Sequence, residues 1–226
     1  MDELSPTMRD YLAEIYRLSD RSATPENRYV GTSALADILE ISAPAVNRMV
    51  TRLKEAGLLE HEPYQGIQLT DAGQHEALKE LRRHRIVEVF LMKVMGFGWH
   101  EVHDEANRMS TGLSDTLTER MAQMAGNPTH CPHGEPIPTA EGILETPHDF
   151  LLSDAASENE ALTITRVLTR EPDRLEYMAA LGLVPGAKLL LIHIAPFHGP
   201  MQLKMGEEYR IIGHNLAELL RVAHTT

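Results

Sequence analysis

His84 and Glu88 stand four residues apart, and on a helix that spacing stacks both side chains on one face, one turn apart, where an imidazole and a carboxylate can share a divalent ion. A third ligand, His103, follows the Gly96-Phe97-Gly98 break between two helix-like runs, so it would come from the next helix. The same i, i+4 pair also occurs as an ordinary solvated contact, and the trio lacks the fixed spacing of HExxH or paired CxxC motifs. A second group of ligand types, His130, Cys131 and His133, lies in NPTHCPHGEPIPTAEG, a stretch too rich in proline and glycine for helix or strand. Thiolate and imidazole together suit a transition metal. Cys131 is the only cysteine in the chain, so an internal disulfide is excluded.

The elements that must position these residues are legible from periodicity. Residues 5 to 19 place Met8, Leu12, Ile15 and Leu18 at helical spacing. A polar loop around Ser22 to Arg28 follows. SALADILEI then carries the short apolar face Leu35, Ile38, Leu39, and Ser42 can cap a helix with Pro44 in its first turn, running through Val46, Met49, Val50 and Leu53 to a stop at Gly57. Helix, short turn, helix is a DNA-reading pattern. Two extended runs, Leu58 to Glu62 and Ile67 to Thr70, flank a Pro63-Tyr64-Gln65-Gly66 turn and form a hairpin, which makes the unit a winged helix. On its second helix, Ala45, Asn47 and Arg48 would read base edges, while Ser42 and Arg52 would meet phosphates.

Thr70-Asp71-Ala72-Gly73 caps a long helix towards Met95, and a third helix is expected over about His103 to Met124. These carry more apolar surface than a small winged domain needs, so part of it is expected to pair with a second copy. The tract to about Ser157 reads as a linker. Beyond it LTITRVLTR, AKLLLIHIAP and MQLKMGEEYRII are strand-like runs of a small β-barrel or sandwich, with GHNLAELLRV as a short helix or closing strand.

The chain has 226 residues and a net charge of −12, which argues against bulk coating of nucleic acid. Locally the balance reverses, because Ser42 to Lys54 holds Arg48, Arg52 and Lys54 and no acid. No apolar run is long enough to span a membrane and no signal sequence opens the chain, so a cytoplasmic location is expected, with no membrane partner.

The order of these parts, with His84-Arg85-x3-Glu88, Val102-His103-Asp104-Glu105-Ala106 and Cys131-Pro132-His133-Gly134-x-Pro136-Ile137-Pro138, resembles the diphtheria toxin repressor family over nearly the whole chain. Met8-Arg9-Asp10-Tyr11-Leu12-x2-Ile15-Tyr16 and Gly31-Thr32-x2-Leu35-Ala36 carry the resemblance too. It implies a mainly α protein with small β parts: a winged helix-turn-helix over 1–74, a helical dimerisation and metal-binding domain over 75–140, a linker over 141–157 and an SH3-like domain over 158–226. It implies a homodimeric repressor of metal-uptake genes, with Mn²⁺ or Fe²⁺ as co-repressor and a palindromic double-stranded operator; Zn²⁺ would bind in vitro.

The family has two metal sites. The resemblance assigns His84, Glu88, His103 and Glu171 to the ancillary one, with Arg174 standing where a further ligand would be. For the primary site Asp10 matches the manganese-type position, whereas Asn107, Ser110 and Thr111 replace usual ligands. Cys131, the Asn107 carbonyl, and His133 or Glu105 would then complete it. Asp10 favours a hard ion and Cys131 a softer one; the reading leans to manganese. Two other classes remain open on the residues alone: a winged-helix regulator of a small organic ligand, and a metallohydrolase using His84, Glu88 and His103.

Overall fold

The computed structural model describes residues 4–20, 29–110, 112–155 and 157–225. The expected loop over 22–28 and Thr111 lie outside the described residues. The chain divides into two units, Met1–His84 with Pro138–Leu144, and Arg85–Ile137 with Glu145–Thr226.

In the first unit α1 (Pro6–Asp20) buries Tyr11, Leu12 and Ile15 at helical spacing. They pack with Leu35 of α2 (Thr32–Leu39) and with Val46, Val50 and Leu53 of α3 (Ala43–Glu55). Removing each such side chain from water contributes roughly 1.5–3 kcal/mol, so this core holds the small unit together. Strands β1 (Leu59–Glu62) and β2 (Gly66–Leu69) form the antiparallel wing, with Glu62 opposite Gly66. Val30 adds a bridge to Ile67 through reciprocal bonds of 2.8 and 2.9 Å. Gly66 has φ +123°, and a Cβ there would lie 2.4 Å from the Val30 carbonyl oxygen, so no other residue fits this crossing. Thr70 starts α4 (Asp71–Lys93): its Oγ1 accepts from Gly73 N at 3.1 Å.

In the second unit the remainder of α4 packs Ile86, Val87, Val89 and Leu91 against Val102 and Ala106 of α5 (Val102–Ser110) and Met121 and Ala122 of α6 (Asp115–Met124). The single helix expected over 103–124 is thus two. Gly112 turns left-handed at φ +82°, and Ser114 restarts the helix by accepting from Leu117 N at 3.2 Å.

The C-terminal part contains β3 (Phe150–Leu151), a 3-10 turn (Leu152–Asp154), β4 (Glu160–Val167), α7 (Pro172–Ala180), β5 (Lys188–Ile194), β6 (Met201–Met205), β7 (Glu208–Ile212), α8 (His214–Ala217) and β8 (Leu220–His224). Its six strands pair antiparallel in the order β3-β8-β4-β5-β6-β7 around Leu162, Ile164, Leu191, Leu203, Leu220 and Val222. Two features differ from expectation. Helix α7, opened by Pro172 in its first turn and buried through Leu175 and Met178, lies between expected strands where no helix was expected. The linker tract already contributes a strand, since Phe150 and Leu151 pair with Val222 and Arg221.

Candidate metal centre and DNA-contacting helix

Helix α4 carries His84 and Glu88 on one face, and two groups of ligand atoms meet at Glu88. The ligand atoms of His84, Glu88 and His103 all lie within 4.8 Å of one another, as do those of Glu88, Cys131 and His133. All five residues are buried, in contrast to a solvated surface pair. His103 Nδ1 lies 3.0 Å from Glu88 Oε1, and His133 Nδ1 lies 3.8 Å from the same oxygen. One carboxylate oxygen therefore faces both halves.

His133 is oriented by Trp99. Its Nε2–H donates to the Trp99 carbonyl at 3.0 Å, and the two rings lie 5.4 Å apart, so Nδ1 is the nitrogen turned towards Cys131 and Glu88. Burial alone would lower the imidazole pKa, but hydrogen bonds and charge from Cys131 and Glu88 outweigh it and push His133 up to about 10. In the metal-free chain the imidazole carries this proton beside the buried Glu88 carboxylate; a metal ion would have to replace it.

The loop that carries Cys131 and His133 is held at every turn. Cys131 N donates to Glu135 O at 2.9 Å, Gly134 N to Cys131 O at 3.0 Å, and Val167 N of β4 to His133 O at 2.9 Å. Arg85 holds Pro136 O. Gly134 has φ +85°, and a Cβ there would lie 1.9 Å from Thr165 O, so the loop can lie against β4 only with glycine. The register of β4 against β8 shifts between Ile164 and Arg166, a bulge that aims Thr165 and Arg166 at Asp149. Asp149 accepts from Thr165 Oγ1 (2.8 Å), Arg166 Nε (2.8 Å) and Arg221 Nε (2.5 Å). Burial raises its pKa, yet these bonds prevail and hold it at about 2. Cys131 lines a cavity of about 330 Å³ together with His130, His148, Asp149 and Arg166.

In the first unit, α3 turns Ser42, Pro44, Asn47, Arg48 and Arg52 to solvent and leaves Ala45 half-buried. Ser42 occupies the N-cap position with extended backbone, but its side chain makes no cap hydrogen bond, a correction to the capping role expected for it. Ser42 stays exposed at the start of the helix.

Three family models match in succession: "Iron dependent repressor, N-terminal DNA binding domain" over residues 3–67, "Iron dependent repressor, metal binding and dimerisation domain" over 70–139, and "FeoA domain" over 151–224. The chain is 28% identical to the iron-dependent repressor IdeR of Mycobacterium tuberculosis over 233 aligned residues, covering 98% of this chain and 99% of that one. A solved manganese-dependent transcriptional repressor in complex with manganese superposes with TM-score 0.88 at 30% identity, covering 96% of this chain and all of that one. ScaR with bound Zn²⁺ superposes with TM-score 0.80 at 28% identity, over 96% and 99%.

The chain belongs to the diphtheria toxin repressor family. It is a metal-dependent, DNA-binding transcriptional repressor, and the family consists of repressors rather than enzymes, which removes the metallohydrolase reading. Family members bind divalent ions, with iron, manganese, zinc and cadmium among them. No helix among the described residues is long and apolar enough to cross a membrane.

Of the residues read as a primary site, Cys131 and His133 meet at Glu88, whereas Asp10 and Glu105 belong to neither group of three among the described residues. Asp10 lies on α1 in the first unit, exposed, its carboxyl pushed up by surrounding protein and by Glu14. Glu105 is paired with Arg108. The Asn107 amide lies 3.3 Å from His103 Nε2 and so touches that ligand's ring; turned over, its oxygen would accept from Nε2–H and free Nδ1. Glu171 is exposed and paired with Arg174 at 2.8 Å, outside both groups of three among the described residues. Trp99 and the Asp149 pairings position the centre and were not singled out from sequence; Arg85 and Gly134, quoted there only as parts of motifs, position it too. Only the proline- and glycine-rich loop signalled a fixed shape.

Proposed function

We propose that Glu88 is the hub of the metal-responsive centre, with Cys131 and His133 holding metal on one side and His84 and His103 on the other. The observation that carries this reading is the convergence of two buried ligand groups on one carboxylate. Bound there, the ion supplies binding free energy available only when the ligands are drawn together. The residues do the rest: Trp99 keeps His133 Nδ1 aimed inward, His133 gives up its proton as the ion takes its place, and α4 carries the change along its length.

The donor set is softer than Asp10 alone implied. Thiolate with imidazoles favours Fe²⁺ over Mn²⁺, and by the general affinity order Zn²⁺ also binds. We therefore read Fe²⁺ as activating at lower free concentration than Mn²⁺, with Asp10 an added hard ligand in the DNA-competent arrangement. Exposed Val94, Met95, Leu117 and Met124 at the end of α4 and on α6 offer an apolar face to a second copy. The homodimer would then present two α3 helices to a palindromic operator, Asn47 and Arg48 at base edges and Ser42 and Arg52 on phosphates, with Ala45 and Pro44 at the helix start. Metal and DNA must tighten each other by the same factor.

The test is fluorescence anisotropy of chelator-stripped protein on its upstream DNA, titrated with anaerobic Fe²⁺, Mn²⁺ and Zn²⁺ at fixed salt. Binding that appears only with metal, and first with Fe²⁺, supports the proposal. Metal-independent binding would favour the regulator of an organic ligand.

A further inference from the structure

The C-terminal sheet carries a pair of imidazoles with a carboxylate nearby, far along the sequence from the Glu88 centre. His198 sits in the turn from Ala195 to Pro200 between β5 and β6, and His214 opens α8 immediately after β7. The register Met201 opposite Ile212 brings that turn beside the start of α8. His198 Nδ1 lies 3.1 Å from His214 Nε2, with ring centroids 4.6 Å apart at 70°. Glu218 Oε1 is 3.7 Å from the same His214 Nε2.

The backbone holds this placement at a cost. Phe197 and His198 are successive non-glycine residues in the left-handed region, at φ 59° and 54°. Such conformations persist where surrounding structure over-determines them, and they concentrate at sites that must aim a side chain. Here the turn is closed by Ala195 N to Pro200 O and Gly199 N to Pro196 O, both 3.1 Å. Phe197 itself points into solvent at 96% exposure, so packing of its ring does not account for the conformation.

We propose that His198, His214 and Glu218 form a further binding site for a borderline divalent transition ion of the Zn²⁺, Ni²⁺ or Cu²⁺ class. Two nitrogens at about 2.0–2.1 Å from one ion lie about 2.9 Å apart at a right angle and about 3.4 Å apart at the tetrahedral angle. The observed 3.1 Å falls between, so both imidazoles reach one ion with small ring rotations. Glu218 is exposed and ends α8, which leaves its carboxylate free to swing the remaining distance. Imidazole-dominated ligands select these ions over Mn²⁺, so the site discriminates against the harder of the repressor's own metals. His198 and His214 share no residue with the Glu88 centre, and the site stands whether or not the proposed wiring of that centre holds.

The experiment is a zinc count on the full-length protein by equilibrium dialysis against ZnCl₂, for the wild type, H198A, H214A and the double variant. It is paired with long-range ¹H–¹⁵N spectra of the wild-type imidazoles. The expected result is loss of one zinc per chain in either single variant, no further loss in the double, and Zn²⁺-induced shifts of both ring systems together. An unchanged zinc count in H214A, or wild-type His198 and His214 resonances unmoved at saturating Zn²⁺, would overturn the site and leave a plain imidazole–imidazole hydrogen bond. The spectra use unmodified protein, so a poorly folded variant does not decide the matter.

Discussion

The Cys131–Glu135 loop and the outer face of α5 both carry residues able to bind metal, and they differ in what surrounds them. The loop is tied to α4 by Arg85, to β4 by the Val167–His133 hydrogen bond, and internally by its own turn. Its ligands are buried and face Glu88. On α5, Glu105 is paired with Arg108 and Asn107 is exposed, its amide reaching the His103 ring. Ligand identity is thus less informative than support, because a side chain already fixed by neighbours loses little freedom when it binds.

That contrast is broken most severely at its shared point. Glu88→Ala should cost on the order of 100-fold or more in metal-dependent DNA affinity, since both ligand groups lose their common carboxylate; anisotropy at limiting and at saturating metal measures it. A loss confined to one metal, with the other unaffected, would mean the two halves do not share Glu88.

Asp149→Asn should destabilise the protein by about 3 kcal/mol, because Arg166 and Arg221 are left buried or half-buried without their charge partner. Chemical denaturation reports it. The sign with pH follows from a folded pKa of about 2 against an ordinary 3.8: the contribution is complete above about pH 4 and is lost as pH falls towards 2. His133 runs the other way. With its pKa raised to about 10, the protonated form stabilises the metal-free chain below about pH 6.5, and this stabilisation is lost as pH rises through 10. Metal competes with that proton, so metal affinity should rise with pH across the neutral range, and His133→Gln should flatten the rise.

Smaller effects sharpen the comparison. Asn107→Ala should weaken metal binding about tenfold by releasing the His103 ring, while Glu105→Gln should change it by less than about twofold; isothermal titration of the two variants side by side decides whether α5 positions ligands or supplies them.

Much of this was legible in the sequence. Helical spacing gave α1 and α3, and Thr70 and Gly57 marked ends that the structure keeps, because those signals act within a few residues. The i, i+4 pair His84 and Glu88 was visible for the same reason. Helix α7 and the split at Gly112 were missed: PDRLEYMAA is short, and its helix is held by Leu175 and Met178 entering a core, while Leu113 and Leu117 imitate a continuing helix. The joining of Cys131 and His133 to Glu88 depends on contacts some 43 to 45 residues apart in the sequence and on a β-bulge, neither of which leaves a local pattern. Asp10, Glu105 and Glu171 were chosen by position in a family pattern, and position does not show that Arg108 and Arg174 have already taken two of those carboxylates.

The central claim is that the Glu88 centre, with its thiolate, is where metal switches on DNA binding. Because Cys131 is the only cysteine in the chain, a Co²⁺ titration of the repressor with its operator tests it directly. The account predicts a thiolate-to-cobalt charge-transfer absorption that grows in step with the anisotropy of the DNA and is absent in Cys131→Ser. DNA binding that saturates with cobalt while no such absorption develops would contradict it.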